Sequence, residues 1–133
     1  IYYNNLYSKT SNDSAASSKV FKPLLEYIKN NYMKPISLAD MAKVSKMSVS
    51  HFAMTFRKFF AQTPIDFLNS YRIEHACLLL SSSDLSITDI AYRCGYNDSS
   101  YFVKVFKKYK NITPKKYREF KSFEKNNTEK ARN

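Results

Sequence analysis

Glycine is almost missing from this chain: Gly95 is the only one in 133 residues, and proline occurs four times. Tight hairpins and phosphate-cradling loops need glycine, because a residue without Cβ takes positive φ without strain. A P-loop or a dinucleotide fingerprint needs at least two glycines, so both are disfavoured. The chain reads as all-α. Hydrophobic residues make up 44% of it, enough to build a core.

Apolar spacing locates the helices. From about Lys19, Val20, Leu24, Leu25, Ile28 and Tyr32 share a face, with Pro23 tolerated near the start and Pro35 as the stop. Ser37 and Asp40 form a capping-box variant that sends Leu38, Met41, Ala42 and Val44 inward. After a break at 45–47, Ser48 opens a helix burying Phe52, Phe56, Phe59 and Phe60. Thr63-Pro64, with Asp66, starts a linker helix that carries Ile65, Leu68, Ala76, Leu79 and Leu80 and stops at Ser81-Ser82-Ser83. Ser86 and Asp89 cap the next helix, with Ile87, Ile90 and Ala91 apolar, and Gly95 marks a turn. Asp98 caps a helix through Lys110 that buries Phe102, Val105, Phe106 and Tyr109. Asn111 is placed to end it in the left-handed conformation, and Thr113-Pro114 begins a last helix with Tyr117 and Phe120 inside.

The chain also repeats itself. Ser37-Leu-Ala-Asp-Met-Ala aligns with Ser86-Ile-Thr-Asp-Ile-Ala, and Phe52, Phe56, Arg57, Lys58, Thr63 and Pro64 align with Phe102, Phe106, Lys107, Lys108, Thr113 and Pro114. The register is 49 residues before the internal turn and 50 after it, so one residue is inserted where insertion costs least. Each half is a short helix, a tight turn and a longer helix with basic residues, which is the helix-turn-helix arrangement. About seven helices result, as two helix-turn-helix subdomains joined by a long linker helix. The expected layout is a flexible linker or tail from an upstream domain over 1–18, a first subdomain over 19–62 and the linker helix over 63–83. A second subdomain follows over 84–123, then a frayed basic tail over 124–133.

Charge supplies the partner class. Lys and Arg total 22 against 11 acids, a net charge of +11, as polyanion binders have. It is unevenly placed: 1–18 are neutral, while Lys104 to Arg132 holds eleven basic and three acidic side chains. A helix fits the major groove of duplex DNA, and a linker helix about 27 Å long would let two reading helices reach successive grooves about 34 Å apart. RNA binding is disfavoured, because A-form RNA hides its major groove from a helix.

Several classes fall away. Cys77 and Cys94 are the only cysteines, on apolar positions, so core packing is expected and a redox pair is the lesser option. No metal-ligand spacing, paired carboxylates or nucleophile–base constellation is visible, so no metal, no cofactor and no enzymatic activity is expected. His51 reads as a surface or phosphate neighbour, and His75 as structural. No apolar run reaches 18 residues and no signal peptide is visible, so the chain reads as cytoplasmic and free of membrane. Starting at Ile1 rather than Met, it reads as part of a longer protein.

The motif Ile87-x-Asp89-Ile90-Ala91-x3-Gly95-Tyr96-Asn97-Asp98-x2-Tyr101-Phe102-x3-Phe106-Lys107-Lys108, then Thr113-Pro114-x2-Tyr117-Arg118, resembles the signature of the AraC/XylS family of bacterial transcription regulators. Arg72-Ile73-Glu74-x-Ala76-x2-Leu79-Leu80 is similar to that family's linker helix, and the likeness covers about residues 20–120. It implies a two-lobed DNA-binding domain that follows an effector-binding or dimerising domain and activates transcription by contacting RNA polymerase. The first unit departs from the pattern: Ala61 stands where glycine is common, and Met54 where a basic residue is frequent. If that position needs positive φ, Ala61 carries a modest penalty.

The same resemblance implies which positions face the groove: Val49, Ser50, Ala53 and Met54 in the first unit, and Ser99, Ser100, Val103 and Lys104 in the second. Serine bonds several bases, the apolar members suit thymine methyls, and Lys104 suits guanine N7 and O6. An A/T-rich site with at most one or two strongly read G·C pairs is expected, although Ser99 and Ser100 also suit plain first-turn chemistry beside Asp98. Arg57, Lys58, Lys107, Lys108, Lys115, Lys116 and Arg118 form the expected phosphate set. Tyr96, Tyr101 and Tyr117 are expected in the core. Arg72 is a candidate for a buried pair with an acid such as Asp89. The alternative role is a helical adaptor docking on the transcription machinery, whose mark would be an uncovered apolar stripe.

Overall fold

The computed structural model describes residues 15–132, with side chains from Lys19. Among them are seven α-helices and no strand: α1 (Ala15–Asn31), α2 (Leu38–Val44), α3 (Val49–Phe60), α4 (Pro64–Ser82), α5 (Ile87–Arg93), α6 (Ser99–Lys110) and α7 (Pro114–Arg132). Two compact units divide at Tyr71 and Arg72, inside α4 rather than at its ends. The first half of α4 closes one core and its second half braces the other.

In the first unit, Phe21, Leu24 and Ile28 of α1 pack with Met41, Ala42, Phe52, Phe56, Phe60, Phe67, Leu68 and Tyr71. Phe21 is the hub, its ring centroid 5.5 Å from those of Phe56, Phe59 and Phe60. In the second unit, Ile73, Ala76, Cys77 and Leu80 of α4 pack with Ile90, Ala91, Cys94, Tyr96, Phe102, Val105 and Phe106. The duplication holds at the level of rings: Phe56–Phe67 and Phe106–Tyr117 both sit 5.6 Å apart, edge to face.

Local chemistry sets the helix ends. Ser37 accepts from the Asp40 amide while its own amide donates to the Asp40 carboxylate, both at 3.0 Å, closing the capping box. Ser48, Ser86 and Asp98 cap α3, α5 and α6. Thr63 and Thr113 each accept an amide three residues on, ahead of prolines that need no donor in a first turn. Ser81, Ser82 and Ser83 each donate to a carbonyl four residues back, which finishes α4.

The expectations fail at particular places. Of the expected tail over 1–18, residues 1–14, with Tyr2, Tyr3 and Tyr7, lie outside the described residues, but α1 already begins at Ala15. Alanine and serine do not break a helix, and Pro23 is consequently an interior proline of α1 rather than an early one. The expected frayed tail is also helical, through Arg132, since no glycine or proline interrupts 115–132 and Lys121 pairs with Glu124 at 3.3 Å. Val20 is 44% exposed while its neighbour Phe21 is 1% exposed, because i, i+3, i+7 spacing from Phe21 also reaches Leu24 and Ile28. Ile65 and Phe120 are exposed, and Phe67, Tyr71 and Ile73 take the buried places on α4.

Candidate nucleic-acid interface

Each unit presents its second helix on a turn of the same construction. The amide of Ser45 donates to the Met41 carbonyl at 3.1 Å, and Met47 to Ala42 at 3.0 Å. In the second unit Cys94 donates to Ile90 at 3.0 Å, and Tyr96 to Ala91 at 2.9 Å. Between these pairs sits a left-handed residue, Gly95 (φ 95°) in one turn and Lys46 (φ 58°) in the other. Lysine itself gives no sign of a left-handed turn, and the signal lies in the 49-residue register that sets Lys46 opposite Gly95. Both long helices then end on another left-handed residue, Ala61 (φ 59°) and Asn111 (φ 66°), whose amides reach Arg57 and Lys107 carbonyls at 2.8 Å.

Burying Phe52, Phe56 and Phe60 turns the opposite side of α3 outward. Ser50, Met54, Arg57 and Lys58 form that outer stripe at i, i+4, i+7 and i+8, all exposed. Burying Phe102, Val105 and Phe106 does the same for Ser100, Lys104, Lys107 and Lys108 on α6. In both stripes the N-terminal end carries a hydroxyl and the C-terminal end carries two cations. They differ in charge at one position, where Met54 answers Lys104. Flanking each stripe, Val49 is 44% exposed, and Ala53, Ser99 and Val103 are half-buried, Val103 against the second core.

The expected phosphate residues divide. Arg57, Lys58, Lys107, Lys108, Lys115 and Lys116 are exposed, the last two in the first turn of α7. Arg118 is not available in the same way. Its Nε donates to the Leu80 carbonyl at 3.0 Å and a terminal nitrogen donates to the Ser83 carbonyl at 3.2 Å. The guanidinium thus closes the C-terminal end of α4, where carbonyls lack partners in the helix. Lys110 is likewise committed, paired with Glu74 on α4.

Tyr96 is 4% exposed and Tyr117 half-buried, as expected, whereas Tyr101 is 52% exposed. Tyr101 follows Ser100 in the first turn of α6, and the 50-residue register equates it with His51, also exposed. The guanidinium carbon of the buried Arg72 lies 5.5 Å from the centroid of the Tyr96 ring, and Asp89 is exposed on α5. Cys77 and Cys94 are buried free thiols. Burial pushes the Cys94 thiol up to about 12, against which the Arg72 charge pulls only partly. Burial raises Cys77 as well, so neither is a ready nucleophile. Among the described residues no group of three or more His, Cys, Asp or Glu is placed to hold a metal ion. No helix among them is long and apolar enough to cross a membrane.

The family model described as "Helix-turn-helix domain" matches residues 41–119, over half of the chain. The chain belongs to the AraC-type helix-turn-helix family. A relative, the uncharacterized HTH-type transcriptional regulator YdeC of Bacillus subtilis (strain 168), is 33% identical over 101 residues, covering 76% of this chain and 35% of YdeC. The chain spans between 14% and 40% of the length of these curated relatives. Among solved structures, the AraC-type regulator of Chromobacterium violaceum superposes with a TM-score of 0.73 at 23% identity, over 81% of this chain and 96% of that one. The DNA-binding domain of AdpA, solved in complex with a target DNA, superposes with a TM-score of 0.69 at 26% identity, over 73% of this chain and 90% of that one. In AraC-type terms α3 and α6 are the second helices of the two helix-turn-helix units.

Proposed function

We propose that this chain is the sequence-specific, double-stranded-DNA-binding part of a transcription regulator, with α3 and α6 as its recognition helices. The observation that carries the reading is the pair of outer stripes, matched in register, each with a hydroxyl near the helix start and two cations near its end. Groove-reading helices contact base edges with their N-terminal residues, and cations beyond them suit phosphates. Val49, Ser50, Ala53, Met54, Ser99, Ser100, Val103 and Lys104 read bases, and Arg57, Lys58, Lys107, Lys108, Lys115 and Lys116 hold phosphates. Arg118 is assigned to positioning. The DNA-bound relative AdpA supports the partner class.

The greater length of the relatives supports a further domain, effector-binding or dimerising, in the whole regulator. That regulator works in the cytoplasm, activates transcription through RNA polymerase and has no enzymatic role. One observation favours docking on the transcription machinery as a second role: Phe120 and Phe123 of α7 are 55% and 64% exposed.

In vitro selection from random duplexes tests the reading. The expected product is an A/T-rich site of roughly 15–20 base pairs, two groove contacts long. Five or six phosphate contacts give a log–log salt slope of about −5. Failure to enrich any duplex, or a slope near −1, overturns it.

A further inference from the structure

Met54 is the one apolar side chain in the two outer stripes of α3 and α6. It lies mid-stripe on α3, 66% exposed, the most exposed large apolar side chain in the molecule's described surface. Ser50 precedes it by one turn, and Arg57 and Lys58 follow by one. If those cations meet phosphates, Met54 lies one turn nearer the helix start and faces base edges. It has no donor, and its thioether is a weak acceptor. The major-groove edge of a base pair offers one apolar group, the C5 methyl of thymine.

We infer that the first unit discriminates bases through Met54 by the C5 methyl of a pyrimidine. The inference rests on α3 being a groove helix, as proposed above. A methyl under Met54 removes apolar surface from water on both partners. Adenine N6, guanine O6 or cytosine N4 in that place would lose a water partner and gain none. The second unit makes the opposite choice at the matching position, where the three donors of the Lys104 ammonium suit guanine N7 and O6. Because the group read is the methyl and not the base, 5-methylcytosine opposite guanine satisfies Met54 as thymine does.

Base analogues in the selected duplex test this, with fluorescence anisotropy titrations reporting affinity. Deoxyuracil for thymine removes the methyl and leaves pairing and O4 intact. At one or two positions the exchange should weaken wild-type binding about fourfold, the equivalent of one buried methylene. Cytosine to 5-methylcytosine at the same positions should strengthen binding by a similar factor. M54A, on an exposed position, should fold normally by circular dichroism and lose the uracil penalty, M54L should keep it, and K104A should not affect it. A duplex bound with the steep salt dependence but indifferent to uracil everywhere overturns the inference and leaves DNA binding standing. A penalty that survives in M54A but vanishes in K104A also overturns it. Failure to bind any duplex overturns both.

Discussion

Lys46, Ala61 and Asn111 hold left-handed backbone without glycine, and only Gly95 occupies such a position with the residue made for it. For an L-residue the left-handed conformation costs about 1–2 kcal/mol, with asparagine the most tolerant. Asn111 was readable for that reason. Lys46 was not, because lysine carries no turn signal of its own. A61G is therefore expected to raise stability by about 1 kcal/mol in urea denaturation; a lower midpoint would mean the alanine methyl is packed. Arg118 separates two roles that look alike in sequence. R118A should lower the melting temperature by removing the donors to the Leu80 and Ser83 carbonyls while leaving the DNA salt slope unchanged. K107A should do the reverse, shifting the slope by about 0.9 and leaving thermal stability alone. A changed slope in R118A would return Arg118 to the phosphate set. Nothing in the sequence distinguishes it from Lys115 or Lys116, since the carbonyls it serves are 38 and 35 residues away.

Among the elements, the short ones were the most legible. Caps at Ser37, Ser48, Ser86 and Asp98 are made by residues two or three apart, so sequence shows both partners at once. The helix α1 shows where this stops. Two faces one residue apart are both compatible with Leu24 and Ile28, and what decides is the cluster of rings on α3, far along the chain. F21A is expected to cost about 3–5 kcal/mol, while V20A should stay within about 0.5 kcal/mol. Equal losses in chemical denaturation would contradict the packing of Phe21. For α4 the difficulty is different: its apolar residues serve one core before Tyr71 and another after Arg72, so no single face emerges from its pattern. The exposed stripes of α3 and α6 were legible through the repeat, which marks matched positions even where the side chains differ.

At the scale of the molecule, charge points to a polyanion and the duplication to the architecture, but neither reports what lies in the second core. There Cys94, Tyr96 and Cys77 are packed with their protons held by burial, Cys94 shifted from 9.0 to about 12. Unfolding releases these protons more readily, so native protein binds more of them between pH 9 and 12. Stability contributed by these groups is complete below about pH 9 and declines as pH rises toward 12. Thermal melts should fall across that window, and thiol reagents at pH 8 should label the cysteines only after denaturation; labelling of native protein would refute the burial. Stability is also unequal along the chain. From Ser122 to Arg132 every residue of α7 is exposed, so this stretch is a helix without a core to lean on. Isolated helices of fewer than about 12–15 residues are marginal in water. In deuterated solvent, its amides should therefore exchange on the timescale of local opening, long before those of the helix turns around Phe56 and Phe106. The last turns of α7 thus keep time separately from the domain they end.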